Sequence, residues 1–459
     1  MAERSKIFGT DGVRGTANVY PMTAEVALSL GRAAAHVFQG GSGRHRIIIG
    51  KDTRLSGYVF EDALTAGICS MGVNVLVVGP MPTPAMAFLT ADMRCDAGVM
   101  ISASHNPYQD NGIKFFSHDG FKLPDEVEAR IESLIESPDF EAVRAGADEI
   151  GQVRRIDDAD GRYVVFVKHT FPTDQTLDGL KVVLDCAHGA AYKVGPTLFQ
   201  ELGAELTVLG AAPNGRNINE GVGALHPENA AAAVRERGAD IGICLDGDAD
   251  RCILIAENGD VVDGDAVMAL CATDLHGRGA LRGGGVVGTV MSNLGLDLYL
   301  QGLGLELVRA PVGDRYVVEA MRKGGYNLGG EQSGHILFLD DSTTGDGMMS
   351  ALQVLAMMAR TRKKLSELHD DGGFERLPQT IVNVAVAEKR PLEELESFQS
   401  AMAEVERELG DEGRVLIRYS GTELKARVMV EGRDEARVHA IARQLAGQLK
   451  QALAGAPER

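Results

Sequence analysis

No stretch of the 459-residue sequence approaches the roughly 18 consecutive apolar residues that a membrane span requires. The opening MAERSKIFG is charged and has no apolar h-region. A cytoplasmic protein with no membrane partner is expected. Positive charge is also scarce, with 46 Lys and Arg against 65 Asp and Glu and a formal charge of −19. Such a field repels phosphate backbones, which argues against a nucleic-acid partner but leaves room for a small anion where cations converge locally. The six cysteines (Cys69, Cys95, Cys186, Cys244, Cys252 and Cys271) show no C-x-x-C spacing. They read as small buried residues in a reducing compartment, not as a disulfide frame or a zinc site. Low-complexity tracts are missing too, since the 56 glycines are spread as punctuation, so the chain should be folded except for its last few residues.

What is present is a long alternation of short β-branched runs and Ala- and Leu-rich stretches. Length alone suggests about three or more units at about 150 residues each. Residues 46–49, 75–78 and 98–101 read as strands, and 23–39 as a helix capped by Thr23. The pattern recurs with strands at 181–185, 205–208 and 241–245, then at 285–290, 306–310 and 335–339. After residue 371 it changes to strand 381–386, helix 391–409, strands 414–419 and 425–430, and a helix from Asp434. The expected fold is α/β with four domains: three similar mixed-sheet units at 1–160, 161–260 and 261–371, and a smaller α+β domain at 372–459, around a central cleft. No close sequence repeat ties the units together.

Four stretches carry reactive residue types. In AGVMISASHNPYQDNGIKFF (97–116) a strand ends at Ser104, where an open α/β sheet places its reactive groups, and Lys114 follows ten residues later. The pattern G-x-S-x-G is absent, which disfavours an ordinary hydrolase triad; a plain serine in a polar loop stays an alternative. In LDGDADR, Asp246, Asp248 and Asp250 alternate directly after a strand. Carboxylates that close repel unless a cation sits between them, and hard oxygen ligands select Mg²⁺ or Ca²⁺. An EF-hand fails because Arg251 replaces the turn glycine and a strand follows. An aspartyl-phosphate phosphatase or a solvated acidic turn are the other readings. In GEQSGH, Glu331, Ser333 and His335 point one way if extended and could read a polyhydroxylated ligand; a glycine-rich turn with a satisfied histidine is the competing reading. In RYSGTE, Arg418, Ser420, Gly421 and Thr422 offer a phosphate clamp, or a surface hairpin. Arg14, Lys51 and Arg54 read as exposed loop cations.

ISASHNP, LDGDADR, GEQSGH and RYSGTE, in this order, resemble the α-D-phosphohexomutase superfamily over essentially the whole chain. KIFGTDGVRG, Gln332 and the GDRYV at 313–317 resemble its hexosamine-phosphate branch more than the mannose- or glucose-phosphate branches. The resemblance implies an isomerase that interconverts glucosamine 6-phosphate and glucosamine 1-phosphate through a phosphoserine at Ser104 and a 1,6-bisphosphate. The alternative is a mutase on mannose or glucose phosphates with the same mechanism. It further implies one Mg²⁺ held by Ser104, Asp246, Asp248 and Asp250, and catalytic positions at Ser104, Arg14, Lys114 and His335. Substrate-binding positions fall at Arg251, Glu331, Ser333, Arg418, Ser420, Gly421, Thr422 and Arg427. A glucose- or glucosamine-1,6-bisphosphate activator, a hexosamine phosphate as small-molecule partner, and a homodimer complete the implied picture. CAHGAAY (186–192) and NGRNINEGVGA (214–224) resemble family segments and read as structural supports. Many family members carry proline after the position of Glu423, where this chain has Leu424.

Overall fold

The computed structural model describes residues 6–9, 11–40, 43–419 and 424–454. The chain forms two compact bodies, residues 1–289 with 310–372, and residues 290–309 with 373–459. Val290–Arg309, inside the expected third unit, thus groups with the C-terminal residues.

The first sheet of the larger body is mixed. Within it Arg46–Lys51 pairs in parallel with Ala97–Ile101 on one side and Asn74–Pro80 on the other. Ile47, Ile48 and Ile49 are fully buried, as expected of a strand covered on both faces. Asp110–Ser117 returns antiparallel to Ala97–Ile101, and Gly12–Thr16 lies antiparallel beyond it. The segment between Ala97–Ile101 and Asp110–Ser117 is therefore a loop at the strand's end, and Ser104 sits in it. A second sheet runs Val261–Val262, Cys252–Ala256, Ile241–Leu245, Lys181–Asp185, Glu205–Leu209. Its hairpin joining Ile241–Leu245 to Cys252–Ala256 carries the three aspartates in the turn. The third sheet includes Gly285–Thr289, Leu328–Gly330 and Ile336–Phe338.

The smaller body holds an antiparallel sheet in the order Gln379–Ala385, Lys425–Gly432, Gly413–Tyr419, packed under helices Glu396–Leu409 and Glu435–Ala454. Its core includes Phe398, Val428, Val430, Leu445 and Leu449. Among the described residues no helix is long and apolar enough to cross a membrane.

Helix Ala24–Phe38 starts at Thr23, whose side chain accepts from the Val26 amide. It packs on helix Gly57–Cys69 through two glycines. A Cβ on Gly31 would lie 2.6 Å from the Leu64 carbonyl oxygen, and one on Gly67 would lie 2.3 Å from that of Leu28. The backbones cannot separate without opening the core around Leu30 and Leu64, both fully buried. Gly67→Ala should therefore cost about 1–3 kcal/mol by overpacking, read as a lower urea midpoint for the larger body.

Candidate active site

The strand Ala97–Ile101 is buried along its whole length, and the chain leaves it through Ser102. Ser102 Oγ donates to Asp52 at 2.7 Å and accepts from the Ser104 amide at 2.9 Å. This second serine is thereby consumed in structure. Ser104 has φ of 51°, a left-handed conformation that costs a non-glycine residue about 1–3 kcal/mol. That conformation turns its hydroxyl across to the second sheet, where Oγ donates to Asp246 at 2.5 Å. The His105 ring lies 3.3 Å away.

Asp246, Asp248 and Asp250 converge, with one ligand oxygen from each lying within 4.8 Å of the others. Two of their oxygens, Asp248 Oδ1 and Asp250 Oδ1, are buried with no hydrogen-bond partner. Burial, followed by the charges of Asp250 and Asp248, pushes the Asp246 carboxyl up to about 8. Burial acts on Asp250 in the same direction, but His335, Lys114 and Arg251 together hold it below the usual carboxylate range. Two helix N-termini abut the acidic turn: the Thr83 amide donates to the Asp248 carbonyl at 2.9 Å, and the Gly347 amide to the Ala249 carbonyl at 3.0 Å. Positive helix ends at this spot favour the anionic turn. A hard dication fits this set of buried, partly unpaired carboxylate oxygens.

Cations close around the turn in a circuit of alternating sign. Lys114 reaches Asp248 at 3.0 Å, Asp250 at 3.8 Å and Asp11 at 3.3 Å. Asp11 also pairs with Lys122, which reaches Asp314 at 2.5 Å. His335 closes the circuit, with Nε2 3.5 Å from Asp314 and Nδ1 3.6 Å from Asp250. Burial would discharge Lys114, yet its three carboxylate neighbours hold its pKa far above the ordinary lysine value. The same contest keeps His335 above its ordinary range, because Asp250, Asp314 and Glu331 outweigh burial. His105 goes the other way, driven to about 4 by burial and then by Arg251 and Arg14. Its Nδ1 lies 2.9 Å from Arg251 Nη1. Beside the circuit a cavity of about 730 Å³ is lined by Lys122, Asp314, Arg315, Tyr316 and Thr344, among others.

Residues 5–142, 161–259, 263–372 and 381–448 match, respectively, domains I, II and III (alpha/beta/alpha) and the C-terminal domain of phosphoglucomutase/phosphomannomutase. The chain belongs to the phosphoglucomutase/phosphomannomutase family. A relative from Geotalea daltonii named phosphoglucosamine mutase is 60% identical over 450 residues, 98% of this chain and 99% of its own. Among solved structures, a phosphoglucomutase/phosphomannomutase family protein from Burkholderia thailandensis superposes with a TM-score of 0.81 at 25% identity, covering 98% of each chain. The Aspergillus fumigatus N-acetylphosphoglucosamine mutase, in complex with GlcNAc-6P and magnesium, shares the fold with a TM-score of 0.66 at 18% identity, covering 97% of this chain and 96% of its own.

Within this family member, Ser104, Lys114, Asp246, Asp248, Asp250, Arg251 and His335 lie in one cluster, and Arg14 joins it through its pair with Asp11. Arg14 Nε is buried without a partner. The segment from Glu331 to His335 differs from the extended arrangement considered for it. Glu331 to His335 form a tight hairpin turn, with the Glu331 amide donating to the His335 carbonyl at 2.9 Å. His335 is buried against the aspartates while Ser333 is exposed, so the two do not share a face. Ser333 Oγ donates to Glu331 at 3.3 Å, and Glu331 also accepts from the Gly313 amide at 3.1 Å. In the smaller body Arg418 and Arg427 face each other across neighbouring strands, both half-buried. Burial and then Arg427 lower the Arg418 pKa. Ser420, Gly421 and Thr422 lie outside the described residues.

Lys51 and Arg54 are not exposed loop cations. Lys51 is 3% exposed, paired with Glu61, and Arg54 is 0% exposed, bonded to Asp52 and to main-chain carbonyls. Sequence reasoning missed Asp11, Lys122 and Asp314 as members of the circuit. Asp11 and Asp314 stand in motifs already singled out, TDGVRG and GDRYV, whereas Lys122 carries no local signal. Asp11→Asn should remove the counter-charge that Lys114 and Lys122 share, leaving Lys114 only Asp248 and Asp250 and Lys122 only Asp314, and lower unfolding free energy by on the order of 3 kcal/mol. Adding Lys122→Met should restore more than half of that in urea titrations; no restoration would mean that the lost counter-charge is not the cause.

Proposed function

We propose that the chain is an isomerase that interconverts glucosamine 6-phosphate and glucosamine 1-phosphate, with Ser104 as the carrier of the exchanged phosphoryl group. The observation that carries the reading is the Ser104 hydroxyl donated directly into a buried aspartate triad. The name borne by relatives at about 60% identity over nearly the whole chain supports the choice of sugar.

Ser104 Oγ, with Asp246, Asp248 and Asp250, would hold Mg²⁺, which when bound supplies positive charge against the phosphoryl oxygens. In the first transfer the bond between phosphorus and Ser104 Oγ breaks as the sugar hydroxyl oxygen bonds to phosphorus. In the second, Ser104 Oγ bonds to the phosphorus at the other end of the 1,6-bisphosphate as the bond from that phosphorus to the sugar oxygen breaks, and the proton lost by Ser104 ends on the freed sugar oxygen. Lys114 and Arg14 balance charge on the group in flight. The proton of the sugar hydroxyl is handled in the neighbourhood of Arg14, Lys114 and His335. Glu331 and Ser333 read ring hydroxyls, with Arg251 beside the triad. Arg418 and Arg427, with Ser420, Gly421 and Thr422, take the phosphate that is not reacting. Domain boundaries near residues 160, 260 and 371, a bisphosphate activator, a cytoplasmic location and a homodimer belong to the same reading.

Three measurements test it. The intact mass of the purified chain after treatment with glucose 1,6-bisphosphate should rise by one phosphate, mapped to Ser104 and lost in Ser104→Ala together with isomerase activity. Turnover on glucosamine 6-phosphate should exceed that on mannose and glucose 6-phosphates; equal or faster turnover of mannose would move the protein to the phosphomannomutase reading. Asp248→Asn should weaken Mn²⁺ binding about tenfold or more in calorimetry, since it removes one anionic ligand.

A further inference from the structure

Arg54 and Asn219 meet on one object, the main chain of the serine loop. All five N–H donors of the Arg54 guanidinium are engaged. Nε donates to Asp52 at 2.8 Å, Nη2 to the carbonyls of Ser104 and Asn106, both at 2.8 Å, and Nη1 to those of Pro107 and of Asp110, the latter at 3.1 Å. Asn219 comes from NGRNINEGVGA, a segment of the second α/β unit, and its own amide is fixed by the Ala187 carbonyl. Its Nδ2 donates to the same two carbonyls, Ser104 at 2.9 Å and Asn106 at 3.1 Å. With the Ser104 amide taken by Ser102 Oγ, both main-chain polar groups of Ser104 are occupied. The hydroxyl alone is left to point at Asp246. Gly247 packs against this junction: a Cβ there would lie 2.5 Å from the Ser104 carbonyl oxygen and 2.9 Å from Asn219 Nδ2. The Asn219 amide thus lies where the serine loop meets the acidic turn.

We infer that Arg54 and Asn219 are positioning residues for phosphoryl transfer, holding Ser104 in its left-handed conformation through its carbonyl so that Oγ is aimed at the aspartate triad. Asn219 supplies this hold from the unit that carries the aspartates, so that the aim is set between the two reacting loops. The inference rests on the reading of Ser104 as phosphoryl carrier.

The test compares Asn219→Asp, which keeps size but loses both donors and sets a carboxylate against two carbonyls, with Asn219→Ala, Arg54→Lys and the loop control Asn217→Ala. Asn217 holds the same segment from within, through its bonds to Ala212 and Asn214. Each chain is loaded with glucose 1,6-bisphosphate, the phosphorylated fraction is counted by intact mass, and single-turnover transfer to glucosamine 6-phosphate is expressed per phosphorylated chain. That normalisation removes any unfolded fraction. Asn219→Asp and Arg54→Lys should slow transfer about 30- to 100-fold, with KM within about threefold, because misplacement of about 1 Å costs that much. Asn217→Ala should transfer at the wild-type rate. The inference is overturned if Asn219→Asp and Asn219→Ala transfer within threefold of wild type, or if Asn217→Ala slows as much as they do. A wild-type chain that never takes phosphate on Ser104 instead overturns the proposed function on which it rests.

Discussion

Three carboxylates crowded into a buried turn are the constraint from which the rest of the larger body's active region follows. Left alone, Asp246, Asp248 and Asp250 would repel one another and resist desolvation. The fold answers with two helix N-termini, with Thr83 and Ser104 hydroxyls on the carboxylates, and with Lys114, His335 and Arg251 close by. Each added cation then needs its own counter-charge, which is why Asp11, Lys122 and Asp314 extend the cluster into a closed circuit. Buried ion pairs of this kind are weak evidence for stability; their coherence here points to a region organised to meet charge arriving on a ligand.

The circuit is assembled from three sheets, and the way each contributes is simple. The first offers Lys114 from within the strand Asp110–Ser117, beside the loop that carries Ser104, and the second offers the turn that follows the buried strand Ile241–Leu245. The third offers a hairpin turn between Leu328–Gly330 and Ile336–Phe338. Strand ends are rigid up to their last residue, so the polar group that follows is placed with little freedom. That hairpin brings Glu331 and His335 together across its turn, which ties Glu331 to the member of the circuit that faces both Asp250 and Asp314.

Much of this is legible in the amino-acid sequence because the decisive residues are local. Ser104 ends a run of buried apolar residues, the three aspartates stand on alternate positions after another, and strands near 46–49, 98–101 and 241–245 fall where period and β-branching put them. The unread parts are those set by partners far along the chain. Asp110–Ser117 is a strand because it pairs with Ala97–Ile101, not because DNGIKFFS announces one. Lys122 matters through Asp11 and Asp314, both more than a hundred positions away, a relation no window of sequence contains. Arg54 shows the same limit: charge and polar neighbours suggest solvent, and only the fold reveals four carbonyl oxygens waiting for its donors. His335 shows a subtler one, since alternation places it beside Ser333 only where the chain is extended, and there it turns.

Because Arg54 grips carbonyl oxygens and no side chain of the loop from Ser104 to Asp110, its grip is blind to what those residues are. Amino-acid replacements along that loop can therefore accumulate without loosening the anchorage, provided the path of the backbone survives. Variation in this segment is free to retune the chemistry beside the serine while the serine itself stays put.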